Sequence, residues 1–147
     1  MSTATTGVGQ QDRKRLGVRL LTPEGAVFDD VAYMVIAPSV EGEVGILPRH
    51  TPFIAFLRPG STRIKLLNDT ELVYATTEGY LSVEEDRVQI LAEQAELAEE
   101  IDRDRAQAAL EKAEAALADA GDDEVARAAA EAAIRRAQNR LEVADRS

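Results

Sequence analysis

A β-sandwich or barrel followed by a C-terminal antiparallel α-helical hairpin is the fold that this 147-residue sequence predicts. Three observations carry that reading. Short runs rich in Val, Ile, Leu, Tyr and Thr fill the chain to about residue 92, broken by turn signals roughly every ten residues, the rhythm of antiparallel β architecture rather than of βαβ units. After Glu93 the composition turns to Ala, Glu, Arg and Leu, all strong helix formers, with no proline. One glycine, Gly121, interrupts that stretch near its middle.

In order along the chain, residues 1–14 are Ser, Thr, Gly and Gln followed by charge, without the apolar stretch of a signal peptide or membrane span, and read as a flexible tail. A β unit is expected over 15–97, with strand-like runs at 17–21, 31–37, 53–57, 62–67, 71–76, 80–83 and 87–91. The segments Pro23-Glu24-Gly25, Pro59-Gly60, Asn68-Asp69, Glu78-Gly79 and Glu85-Asp86 supply the turns. Over 98–147 the first helix is expected from about 101 to 120, closed by Gly121 in a left-handed C-cap, and the second from Asp122 or Asp123 as cap to about 143. So short a connection makes the pair antiparallel.

The helical spacing puts Ala106, Ala109, Leu110, Ala113, Ala116, Leu117 and Ala120 on one seam, facing Ala126, Ala130, Ala133, Ile134, Ala137, Leu141 and Ala144. Alanine lets helices approach closely, but at about 0.8 kcal/mol per buried methylene a methyl contributes far less than a leucine side chain. The hairpin is therefore expected to be weakly held, as a conformational switch requires; a hairpin that stays closed is the alternative.

Composition excludes several chemistries. No cysteine means no disulfide, thiolate zinc site or cysteine nucleophile, and the single histidine, His50, makes no multi-histidine metal site. A cytoplasmic setting fits. A net charge of −10 argues against nucleic acid, which needs clustered Lys and Arg. Within the helical part, residues 98–121 hold three basic and seven acidic groups, whereas Ile134-Arg135-Arg136-Ala137-Gln138-Asn139-Arg140 carries three arginines and no acid.

The most distinctive segment is Glu41-Gly42-Glu43-Val44-Gly45-Ile46-Leu47-Pro48-Arg49-His50-Thr51-Pro52. Gly42 and Gly45 permit positive φ or close backbone approach, and Pro48 and Pro52 fix φ and remove donors, so a stiff surface turn between strands is expected, suited to docking, with a purely structural Gly/Pro corner as the alternative. His50 has no titratable partner nearby in sequence, so it shapes the loop rather than doing acid–base chemistry.

That loop resembles the signature loop of the epsilon subunit of F-type ATP synthases. Ordered matches at Thr22-Pro23-Glu24 before Val27-Phe28, Leu57-Arg58-Pro59-Gly60, Glu78-Gly79-Tyr80-Leu81-Ser82-Val83, residues 88–92 and 101–106 extend the likeness over about residues 16–143. Arg49 departs from the pattern, which usually has glycine there. The resemblance implies about ten short antiparallel strands in the sandwich. It also implies a place in the central rotor, docked through Gly42, Glu43, Gly45, Pro48, His50 and Pro52, with Glu43 approaching the polar loops of the c-subunit ring.

Ile101-Asp102-x-x-Arg105-Ala106 resembles the ATP-binding motif of some bacterial epsilon subunits. By position Glu96, Lys112, Arg136 and Arg140 join Asp102 and Arg105, although the nucleotide-binding relatives tend to have arginine where Lys112 stands. Arg136 and Arg140 are four apart on one helical face and would be forked phosphate donors. An intrahelical Asp102–Arg105 pair with solvated arginines is the alternative.

The expectation is a non-catalytic rotor subunit, peripheral on the cytoplasmic face of a bacterial plasma membrane without inserting into it. It would couple c-ring rotation to the catalytic head and restrain ATP hydrolysis. Its partners would be the gamma subunit and the c-ring, together with the alpha and beta subunits reached by Arg135, Arg136 and Arg140. No cofactor is required, and ATP enters as a regulatory ligand. The competing reading is a stand-alone ATP-sensing module.

Overall fold

The computed structural model describes residues 15–146, and the expected tail over 1–14 lies outside them. Ten strands form in sequence: β1 Leu16–Thr22, β2 Gly25–Ala32, β3 Met34–Ser39, β4 Gly42–Ile46, β5 Phe53–Leu57, β6 Gly60–Lys65, β7 Glu71–Thr76, β8 Gly79–Glu84, β9 Arg87–Ala92 and β10 Ala95–Leu97. A 3-10 turn at Ala98–Glu100 leads into α1 (Arg103–Asp119) and α2 (Glu124–Ala144).

The strands join edge to edge in the order β10-β7-β6-β3-β5-β8-β9-β1-β2, with β4 paired to the other edge of β3. Alternate residues of β1, Leu16, Val18 and Leu20, are buried while Gly17 and Arg19 are exposed, the period of two that a one-sided core demands. Leu16, Val18, Leu20, Val35, Ile46, Ile64, Leu81, Val88 and Ile90 fill that core. On the neighbouring strands β6 and β7, the buried Thr62 and Thr76 hydroxyls pair with each other at 2.8 Å, so neither is left without a partner.

Four expectations need correction. The single run at 31–37 is two strands, because the chain turns at Tyr33 and Met34 begins pairing with Lys65. The glycine-rich segment is not all turn: residues 42–46 pair with β3 from Val35↔Ile46 to Ser39↔Gly42, Gly42 taking a φ of 127° where the hairpin reverses. The sheet is not wholly antiparallel, since β1 runs parallel to β9 from Gly17↔Arg87 to Leu21↔Leu91. On α1 the seam is narrower than read, with Ala106 and Ala113 buried but Ala109 and Ala116 exposed.

The helix ends follow their caps. Asp102 accepts the Arg105 backbone N–H at 3.1 Å, which starts α1 at Arg103, and Asp123 does the same for Ala126 at 3.1 Å. Gly121 takes a φ of 56° between the helices, as a left-handed C-cap requires. On α2 the buried residues Ala130, Ala137 and Ala144 repeat every seven positions, and Val143 joins Ala75, Ala98 and Ile101 in a small apolar cluster that seats the hairpin on the sandwich.

Gly79 marks the tightest approach in the sheet. A Cβ there would lie 1.7 Å from the Leu91 carbonyl oxygen and 2.7 Å from its carbon, both backbone atoms that cannot rotate aside. Gly79→Ala is expected to lower stability by about 3 kcal/mol in urea unfolding, because β8 must lift off β9. A loss below about 1 kcal/mol would show that the two strands separate easily.

Candidate functional site

Where the start of β2 passes the end of β9 and β10, an open groove of about 820 Å³ lies over the root of the helical hairpin. Thr22, Glu24, Glu93, Gln94 and Glu96 line its sheet side, and Arg105 of α1 and Arg140 of α2 line its helical side. Folding thus brings together residues from four separated stretches. Arg140 donates through Nε to Glu96 Oε1 at 2.8 Å and through Nη2 to Oε2 at 3.3 Å, a forked pair with both side chains about one-quarter to one-third exposed. Beside it Arg136, half-buried, faces a smaller cavity with Ala75, Thr77 and Asn139.

Of the six residues expected around a nucleotide, Glu96, Arg105 and Arg140 share the groove, and Arg136 sits next to it with Glu96 and Arg140. Asp102 is drawn into capping α1, so its contact is with the Arg105 backbone rather than the guanidinium. Lys112 lies exposed on α1, two turns beyond Arg105, and lines none of these cavities. Among the arginines of the window only Arg135 is exposed, since Arg136 is half covered and Arg140 is engaged by Glu96.

The segment expected to dock lies along the edge of β3 that faces away from β5 and β6. Glu43 is exposed and pairs with Arg63 of β6 at 3.4 Å, so its carboxylate already has one cation. Beyond β4 the turn is closed by the His50 N–H donating to the Leu47 carbonyl at 3.1 Å. His50 meets Phe53 edge-on, with ring centroids 5.7 Å apart, and its Nδ1 lies 2.7 Å from the Thr51 carbonyl. Arg49 has a φ of 68°, the left-handed region that favours glycine, and its backbone N–H donates to Asp86 at 2.6 Å. The Asp86 contact holds the strained residue in place.

Two structural features escaped the sequence reading. Ile54 and Phe56 stand 71% and 68% exposed on the outer side of β5; Tyr80 lies opposite Phe56 on β8, and Val40 donates its N–H to the Phe56 carbonyl. Together they make an uncovered apolar stripe. Its signal was present in Phe53-Ile54-Ala55-Phe56-Leu57, which is apolar on both faces where a one-sided strand would alternate. The other is Asn139, whose Nδ2 donates to the Gly60 and Thr76 carbonyls at 3.0 and 3.3 Å; a lone helical Asn gave no hint of it.

The sequence profile described as ATP synthase, delta/epsilon chain, beta-sandwich domain matches residues 15–98, and the long alpha-helix domain of the same chain matches residues 99–145. The ATP synthase epsilon chain of Halalkalibacterium halodurans is 45% identical over 131 residues, covering 89% of this chain and 98% of that one. The epsilon chain of Dehalococcoides mccartyi is 40% identical over 132 residues, covering 90% and 94%. Among solved structures, a chain of the Euglena gracilis mitochondrial ATP synthase, in an assembly of OSCP, F1 and c-ring, superposes with a TM-score of 0.76 at 25% identity, covering 88% of this chain and 81% of that one. The fold recurs in the central stalk and c-ring of the Tetrahymena thermophila enzyme, with a TM-score of 0.58 at 14% identity and 90% and 98% coverage. With both structural units matched in order and the relatives aligned over nearly their full length, this chain belongs to the ATP synthase epsilon-chain family.

Proposed function

We propose that the protein is a non-catalytic rotor subunit of an F-type ATP synthase, linking gamma to the c-ring and restraining ATP hydrolysis through α1 and α2. The observation that carries the reading is the stripe of Val40, Ile54, Phe56 and Tyr80, set beside the docking turn on a rigid sheet. An exposed apolar patch of aromatic and branched side chains needs a protein partner, and gamma is the partner this position serves. A stand-alone nucleotide sensor has no use for it. The docking turn then faces the c-ring, with the subunit peripheral at the cytoplasmic face of a bacterial plasma membrane. No helix among the described residues is long and apolar enough to cross that membrane.

ATP is the regulatory ligand of this reading. Arg105 and Arg140 in the groove, with Arg136 beside it, supply cations for a polyphosphate, and Lys112 has no part in the closed hairpin. The inhibitory role belongs to the released hairpin, in which Arg135, Arg136 and Arg140 are freed to meet acidic loops of the alpha and beta subunits.

Three measurements check these assignments. Phe56→Asp is expected to weaken co-elution with gamma by about 30-fold, as loss of a buried aromatic anchor does, while leaving the melting temperature within a few degrees; undiminished binding would remove the stripe from the interface. ATP at about 100 times its dissociation constant would add about 2.7 kcal/mol to the stability of the wild-type chain and nothing to Arg105→Ala; calorimetry of the wild-type protein without binding heat would eliminate the nucleotide site. Replacing Arg135, Arg136 and Arg140 together by Ala is expected to raise hydrolysis by the reconstituted catalytic head several-fold, and added salt to do part of the same, since exposed pairs contribute only about 0–1 kcal/mol each. Equal rates at low salt with equal gamma binding would discard the arginine window.

A further inference from the structure

We propose that the Glu96–Arg140 pair is the release contact of the hairpin, a charge clamp whose breaking frees α2 from the sandwich while both helices remain helical. The proposal rests on how the attachment is divided between apolar and polar contacts and stands apart from nucleotide binding.

The apolar part of the attachment is small. Ala75, Ala98, Ile101, Val143 and Ala144, with Val73 partly buried against them, are its whole cluster, and three of the six side chains are single methyl groups. Each such methyl contributes a fraction of what a leucine would. Polar contacts between α2 or its C-terminal end and the sandwich are gathered within one short stretch: Asn139 to the Gly60 and Thr76 carbonyls, Arg140 to Glu96, and Arg146 Nη1 to Ser61 Oγ at 3.1 Å. Asn139 and Arg140 each make two of these bonds, but only the Arg140 contact is a salt bridge, with both of its bonds going to one carboxylate.

Its place in the chain gives it leverage. Glu96 stands on β10, the three-residue strand just before the helical region, and Arg140 lies 44 residues later near the end of α2. The clamp therefore closes a loop that contains all of α1 and most of α2. Arg103 and Asp145 pair across the two helices, so the hairpin can part from the sandwich with its own helix-to-helix contact intact. Both clamp residues are partly solvated, which lets dissolved ions compete with them. Among the described residues Arg140 Nη1 has no partner, and the groove it borders also holds Arg105 and the carboxylates of Glu24 and Glu93, so an anion entering there meets the clamp directly.

The test uses the full chain, whose lack of native cysteine allows clean double spin labelling at Glu78→Cys and Gln138→Cys, both exposed positions flanking the docked face. Pulsed distance measurements without nucleotide are expected to give one short, narrow distance at low salt. Glu96→Gln is expected to raise the long-distance fraction several-fold, and 1 M NaCl to do the same to the unmutated clamp. Arg140→Lys, which keeps charge but loses the fork, falls between. The exchange Glu96→Arg with Arg140→Glu restores the short distance without nucleotide, because the two side chains need only be of opposite charge for the clamp to close. A short distance that Glu96→Gln leaves unchanged at low and high salt would overturn the proposal, as would an exchanged pair no shorter than its two single variants. Loss of circular dichroism helicity in Glu96→Gln would also overturn it, because the helices would then melt rather than swing.

Discussion

Everything in this fold depends on one strand serving both layers. β3 pairs with β4 along one edge over Val35–Ser39, while its other edge pairs with β6 over Met34–Ile36 and then passes to β5 at Ser39↔Leu57. A strand that changes partner along its length forces the sheet to turn a corner there, folding one continuous ladder over on itself. Pro38 sits in that corner, where the lost N–H is tolerated and its carbonyl accepts the Arg58 N–H at 3.0 Å. Gly60, opposite, cannot gain a side chain, because a Cβ would lie 2.7 Å from that of Pro38. The core, the docking turn and the seat of α2 all take their positions from this bend.

The helical hairpin obeys a different balance. Its residues have high helix propensity and small side chains, so secondary structure is cheap and tertiary packing is thin. Polar contacts do what leucines would do in an ordinary bundle. Hydrogen bonds and half-solvated ion pairs contribute about 1 kcal/mol each rather than tens, and they respond to ionic conditions in a way that buried hydrocarbon does not. The sandwich, with its fully buried branched core, has no such sensitivity. One chain thus joins a rigid body to an attachment that answers to its surroundings.

The sheet and hairpin were legible because period and composition change at one point, and turn residues mark the joints. The caps at Asp123 and Gly121 follow from local chemistry alone. The residues that meet in the groove were foreseen only in part. Asp102 competes for two uses, and the nearby backbone N–H wins because helix initiation leaves it unpaired. Lys112 failed on distance along α1, which spacing does not weigh against a neighbouring helix. The parallel β1–β9 pairing, and the polar grip of Asn139 on carbonyls 63 and 79 residues away, arise from long-range topology that no local pattern encodes.

The docking turn is fastened twice, through β4 to the corner strand and through the Arg49 N–H to Asp86 in the β8–β9 turn. A sideways force applied at the turn is therefore divided between two distant parts of the ladder. Along antiparallel neighbours that load acts on several hydrogen bonds at once, as a shear, instead of opening them one after another, as a peel. Shear resists far more than peeling does. A part mounted this way has little elastic give, so a load placed on its tip passes into the sheet instead of being taken up by the turn.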